Sequence, residues 1–368
     1  QYRHARHQMH MMADQAQAHR EMLDRRAKHI RELEDTGGDG DSDGGSGGGT
    51  ASLDGTLVDG YIKNATGRML DIATGKTVGA FTTNSVGKWS LKIPEARIPD
   101  VYKIEFLPGG VDVLTGKVMN TTLSNVATKA QTVDIGSSSI NISPITTLKA
   151  GIIESKIEAT SGAIDYDNII DETVEFVADV FNITKADIEV DYIGTGKGDV
   201  LKVSTKLALI TEILKTVVSE ADSTVSNDNI FSSLVDEFAT QEQTGIAVNI
   251  LNNNDKITNI VVNSTEVVIA VDSPIVDNAQ VLTDSVSSKI ASATGDDFTE
   301  IVTNVAKSIT AVIDVVNTID MSVVIPDVAV VEAQIDDDAE EVVVDTSQVF
   351  QTAEAQTQAN SHYTTIAP

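Results

Sequence analysis

Cysteine is absent from all 368 residues. Disulfides, thiolate nucleophiles and zinc–sulfur sites are therefore excluded in one step. Aromatics are scarce, at 4% of the chain, with a single Trp. A core must be built from Val, Ile, Leu and Ala, and few rings are left for stacking on sugars. Histidine is missing from the whole stretch between His29 and His362. That leaves no base for a Ser-His-Asp triad in the body and no HExxH zinc motif. Cationic side chains are also few: 26 Lys+Arg stand against 55 Asp+Glu, for a formal charge of −29. Such a field repels nucleic acid and anionic membranes and makes diffuse Ca²⁺ or Mg²⁺ binding cheap. No apolar run approaches the ~18 residues that a bilayer-spanning helix needs.

The residues present change character along the chain. Residues 1–35 hold Arg3, Arg6, Arg20, Arg25, Arg26 and Arg31, which are six of the eight arginines, and five of the six histidines. They contain neither Gly nor Pro and are rich in good helix formers. Met9, Ala16, Leu23 and Ile30 recur every seven residues, with Met12 and Leu33 three after the first and last. This spacing predicts one long helix with a heptad seam, seeking a partner helix or groove. Residues 36–50, TGGDGDSDGGSGGGT, read as a flexible acidic linker. A helix on a tether suggests an anchor joined to a displayed body. The first residue is Gln1 rather than Met, so what precedes it is left open.

Residues 51–145 alternate short runs rich in Val, Ile, Thr and Phe with Gly, Asn and Asp turns. Strands are expected at 55–62, 77–83, 88–93, 102–107 and 131–135, in a small antiparallel β-sandwich of about seven strands. Trp89 alternates with Leu91 and Ile93 and reads as a core residue. From Ser143 the apolar spacing turns helical, with Pro144 where a helix can begin. Helices are expected at 146–159, 167–181, 199–221, 227–239, 273–293 and 296–319. Residues 257–271 are ambiguous between helix and strand. The expected class is α+β and multidomain: an N-terminal helix, the β-sandwich, a mainly α-helical body to residue 325, and an acidic, then polar, tail over 326–368.

Two stretches carry a family resemblance. One is Leu53-Asp54-Gly55-Thr56-Leu57-Val58-Asp59-Gly60-Tyr61-Ile62 with TTNSVGKWSL at 82–91 and Gly109-Gly110-Val111-Asp112. The other is the junction Ile142-Ser143-Pro144-Ile145-Thr146-Thr147-Leu148. Together they resemble the carboxypeptidase-regulatory-like, or transthyretin-like, β-sandwich passing into a helical domain, over about residues 51–220. That pairing is associated with bacterial surface proteins and with virion proteins of large marine DNA viruses. The resemblance implies display, adhesion or assembly and carries over no catalytic residue.

Other motifs are weak. Gly75-Lys76-Thr77 imitates the end of a phosphate-binding loop, but Leu70 stands where its first glycine is required, so a turn is expected. The run Gly194-Thr195-Gly196-Lys197-Gly198 reads as a loop before a helix, with an anion site at that helix N-terminus as the alternative. Asp39, Asp41 and Asp43 form the first half of a Ca²⁺ loop, but position twelve is Thr50. They are the metal candidates, and Ca²⁺ is the only cofactor in view. His4, His7 and His10 share a helical face.

The expected function is a non-enzymatic, extracytoplasmic structural or surface protein. It would self-associate, or join other structural subunits, through residues 1–35, without nucleic acid and without a membrane span. The alternative is a secreted or cell-surface adhesin.

Overall fold

The computed structural model describes residues 49–134, 139–245, 247–325 and 327–342, with 344 and 346. The expected anchor helix (Met9, Met12, Ala16, Leu23, Ile30 and Leu33), His4, His7 and His10, and the carboxylates Asp39, Asp41 and Asp43 lie outside the described residues. An N-terminal helix is therefore not among the observed elements.

The β region begins at Thr50. Strand β1 (Thr50–Thr56) pairs antiparallel with β5 (Lys88–Pro94). A four-stranded antiparallel sheet runs in the order β4 (Thr77–Thr82), β3 (Thr66–Asp71), β6 (Val101–Phe106), β8 (Leu123–Thr128). A short pair joins β2 (Ile62–Lys63) to β7 (Val111–Asp112). Leu53, Trp89 and Ile93 of the β1–β5 ladder share one core with Met69, Ile104 and Phe106 of the larger sheet. Trp89 is 3% exposed, and Phe81 stacks on it at 4.8 Å between ring centroids. The alternation of apolar residues in β5 sets this inward face.

Residues 55–62 do not form one strand. Gly60 (φ +88°) and Tyr61 (φ +65°) reverse the chain after β1, and the Ile62 N–H returns to the Leu57 carbonyl at 3.1 Å. Residues 130–134 form a π-helical turn in place of the expected strand.

The passage from sheet to helix has a hydrogen-bonded cause. Helix α1 (Pro144–Ala159) is capped by Ser143, whose backbone N–H donates to Thr146 Oγ1 at 2.8 Å while its Oγ accepts from the Thr146 N–H. Pro144 stands in the first turn, where its missing N–H costs nothing. The two threonines then bind β8. Thr146 Oγ1 donates to the Ser124 carbonyl at 2.9 Å, and the Ser124 N–H donates to Thr147 Oγ1 at 2.8 Å. The S-P-I-T-T run thus starts a helix and fastens it to the sheet edge. Lys149, wholly buried, continues the fastening by donating to the Val126 carbonyl at 3.2 Å and pairing with Glu189.

Helices α2 (Tyr166–Phe181), α3 (Gly198–Ser219), α4 (Asn227–Thr244), α5 (Asn254–Asn263), α6 (Pro274–Ser292), α7 (Phe298–Thr318) and α8 (Val328–Glu341) complete the body. Polar N-caps open most of them, among them Asp165, Ser226, Asn253, Ser273 and Asp297. Leu207, Ile210, Leu214 and Val217 line the buried side of α3, the central helix, as their spacing predicts. The ambiguous stretch at 257–271 resolves into the end of α5 and a loop. Helix α8 extends the body past residue 325, because Val331 and Ile335 are 2% exposed and belong to the helical core. Wholly buried Asn278 holds the connection before it, donating to the Met321 and Val323 carbonyls at 3.0 Å and accepting from the Ile325 N–H.

Candidate functional site

The β1–β2 turn is where the two halves of the molecule meet. Val58 and Tyr61 come from the β region, yet both are fully buried in the hydrophobic core of the helices. The Val58 carbonyl accepts from the Tyr192 hydroxyl at 2.7 Å, and the Val58 N–H donates to Ile142 at 2.7 Å. Tyr61 donates its hydroxyl to both oxygens of Asp191, at 3.0 and 3.1 Å. Burial, and then the Asp191 charge, raise the Tyr61 pKa well above its ordinary value. Burial likewise raises Asp191, opposed by the Gly194 N–H and the Tyr61 hydroxyl. The Gly194–Gly198 run is thus the far side of this contact.

Two hairpin loops of the β region are copies of one another. Asp71-Ile72-Ala73-Thr74-Gly75-Lys76 and Asp112-Val113-Leu114-Thr115-Gly116-Lys117 share the pattern D-x-x-T-G-K. In each, the Asp carboxylate accepts from the backbone N–H two residues on, at 2.9 and 2.8 Å. It also accepts from the Thr hydroxyl, at 2.7 and 2.6 Å. Gly75 and Gly116 both adopt φ +68°, which the turn requires. The first loop is the turn expected at Gly75. The second is docked against the helices, where Leu114 joins their core.

Docking the second loop leaves a cavity of about 180 Å³ between it, the β1–β2 turn and helices α3, α4 and α7. Its walls are largely apolar: Ile62, Leu114, Met119, Leu201, Phe231 and Ile313 contribute. Acceptor-bearing side chains also line it, among them Asp59, Asp112, Glu212 and Asn227. Gly60 lies so close to Asp112 that a Cβ there would overlap its carboxylate, so only glycine brings the turn this near. Burial pushes Asp59 up to about 8, and the Asp112 charge adds to the rise. Burial pushes Asp112 up to about 7, against the hydrogen bonds from Thr115 and Leu114. Neither carboxylate has an ion-pair partner among the described residues. Asn227 is 6% exposed; its Nδ2 donates to Glu212 at 2.7 Å, while its buried Oδ1 has no hydrogen-bond partner. Next to it, the Asp228 carboxylate accepts from the Thr122 N–H and hydroxyl, both at 2.8 Å, and pins the loop to the start of α4.

Among the described residues, no three His, Asp or Glu side chains gather as a metal centre. None of the described helices is long and apolar enough to cross a membrane. At the N-terminus of α3, Lys197 stands at the cap without a capping hydrogen bond, its Nζ pairing instead with Asp187 at 3.0 Å, and Asp199 occupies the first turn. Asp59, Asp112, Glu212 and Asn227 were not foreseen as site residues. The repeated D-x-x-T-G-K hexapeptide is the one sequence signal that singles out Asp112. No protein-family model matches the chain, and no curated protein or solved structure is significantly similar to it.

Proposed function

We propose that this chain is a non-enzymatic structural protein of an extracytoplasmic assembly, in which residues 1–35 are the attachment segment and the β and helical regions form one displayed body. In this reading the β region is a transthyretin-like sandwich. The supporting observation is the continuity of the core. Val58, Tyr61 and Leu114 of the β region are buried among helical residues, and the S-P-I-T-T junction is bonded to β8. Domains joined by a linker alone move independently. A body with one core transmits position, which suits a subunit that spaces or presents a surface. The residues between that segment and Thr50, where β1 begins, then act as its tether.

The test is the mass of the full chain in solution by light scattering, beside a chain lacking residues 1–48. A large oligomer that falls to monomer on truncation supports the reading. Unchanged assembly after truncation refutes the role given to residues 1–35. The cavity between the β region and the helices favours a second reading, a surface binding module. It predicts a monomeric full chain whose melting temperature rises with ligand.

A further inference from the structure

We propose that the valine-rich surface at the start of α6 receives residues 1–35 of a second copy of this chain, so that subunits join head to tail. The proposal rests on the reading of residues 1–35 as the attachment segment and names what they attach to. Among the described residues, eight large apolar side chains are exposed, and six of them flank this one helix start. Val267, Val268 and Val271 stand in the loop before α6, Val323 and Val324 in the connection before α8, and Val330 in the first turn of α8. Asn278 of α6 holds the two loops together, because its side chain bonds the backbone of Met321, Val323 and Ile325. In each loop a buried isoleucine, Ile269 or Ile325, anchors the chain while the neighbouring valines face solvent, Val268 being 89% exposed. Single exposed valines are ordinary, but a cluster of them marks an interaction surface.

Charge selects the occupant. The charged residues along the two valine loops are Glu266, Asp272, Asp320 and Asp327. No Lys or Arg occurs between Lys256 and Lys289, nor anywhere after Lys307. The matching partner is therefore apolar and cationic, and residues 1–35 offer both. In their seven-residue register Arg26 falls on the seam of Met9, Leu23 and Ile30, and Arg6 and Arg20 fall beside it. Five of the six acidic residues, all but Glu34, fall at the other positions. A seam that carries arginine packs poorly against a copy of itself and well against valines flanked by carboxylates. The residues after 346 include Glu354 and no Lys or Arg, so charge does not favour them as the cover. A segment of one subunit lying on a different surface of the next is a heterologous contact, which propagates.

The experiment mixes two full-length variants and reads their mass by light scattering. Val268→Asp with Val323→Asp spoils the valine surface, and Leu23→Asp with Ile30→Asp spoils the seam. The unmodified chain should assemble, and each variant alone should be monomeric. Their equimolar mixture should form a one-to-one dimer, because it holds one usable seam and one usable surface and cannot propagate. The dissociation constant of that dimer should rise about tenfold between roughly 0.05 M and 0.5 M NaCl. A valine-surface variant that assembles like the unmodified chain, beside a monomeric seam variant, overturns the proposal and leaves residues 1–35 attaching elsewhere. A monomeric unmodified chain, or a seam variant that still assembles, overturns both the proposal and the reading on which it rests. A mixture that stays monomeric places the contact within one chain and overturns the proposal, as does a dimer indifferent to salt. If the double valine variant fails to melt cooperatively, Val268→Asp alone decides, since that side chain is the most exposed of the six.

Discussion

The hydroxyl of Tyr61 meets the carboxylate of Asp191 at 3.0 Å across 130 residues of chain. One partner sits in a β turn with a left-handed backbone, the other in the loop before α3. Tyr61→Phe keeps the ring packed and removes only the hydroxyl, leaving Asp191 with one donor fewer. A loss of about 1–2 kcal/mol is expected, read as a lowered denaturation midpoint at unchanged slope. Tyr61→Ala should cost more, about 3–5 kcal/mol, because it also opens a cavity in the helical core.

Gly60 and Gly116 separate backbone strain from close approach. Both have positive φ, +88° and +68°. Alanine at 116 meets open space and pays only the left-handed penalty, about 1–2 kcal/mol. Alanine at 60 also collides with the Asp112 carboxylate and Leu114. Gly60→Ala should therefore be the more destabilising change, by at least about 1 kcal/mol in a chemical denaturation series.

Stability should depend on pH through Asp59 and Asp112. Folding raises both, to about 8 and about 7, so the folded chain holds more protons than the unfolded chain above their ordinary range near 4. Stability from this pair is then highest below about pH 4 and declines as pH climbs toward 8. Tyr192, which burial and the Asp59 charge raise well above its ordinary value, stays protonated throughout this window and does not contribute to the slope. Asp59→Asn should raise the melting temperature by a few degrees at pH 8, on the scale of about 2–4 °C per kcal/mol. It should change it little at pH 4.5. An equal rise at both values would contradict the pairing.

Ser143 and Thr147 test the junction. Ser143→Ala removes the N-cap of α1 and should cost about 1 kcal/mol. Thr147→Val keeps the shape, but leaves the buried Ser124 N–H without its partner, for about 1–3 kcal/mol. Hydrogen exchange in β8 should accelerate in the second variant more than in the first.

Much of the helical body was legible because the driving force was local. The α3 stripe at Leu207, Ile210, Leu214 and Val217 has helical period, and caps such as Ser226 and Asp165 mark the ends. Trp89 was placed by simple alternation. Strand β8 was not, because Ser124 and Asn125 break the apolar pattern; they are buried there because α1 binds the Ser124 backbone and the Asn141 carbonyl, just before α1, accepts from the Asn125 Nδ2. The 55–62 run looked continuous because Leu57, Val58, Tyr61 and Ile62 are all apolar. Their division between two cores is a tertiary fact. The cavity was illegible for the same reason: Asp59, Glu212 and Asn227 are far apart in sequence, and neither Glu212 nor Asn227 belongs to a motif.

Scanning calorimetry of the full chain tests most directly whether the β and helical regions form one body. A shared core predicts a single unfolding transition for that body, with calorimetric and van't Hoff enthalpies in agreement. Tyr61→Ala should lower that transition as a whole. Two separable transitions, of which Tyr61→Ala moves only one, would show independent domains and remove the basis for a rigid displayed unit.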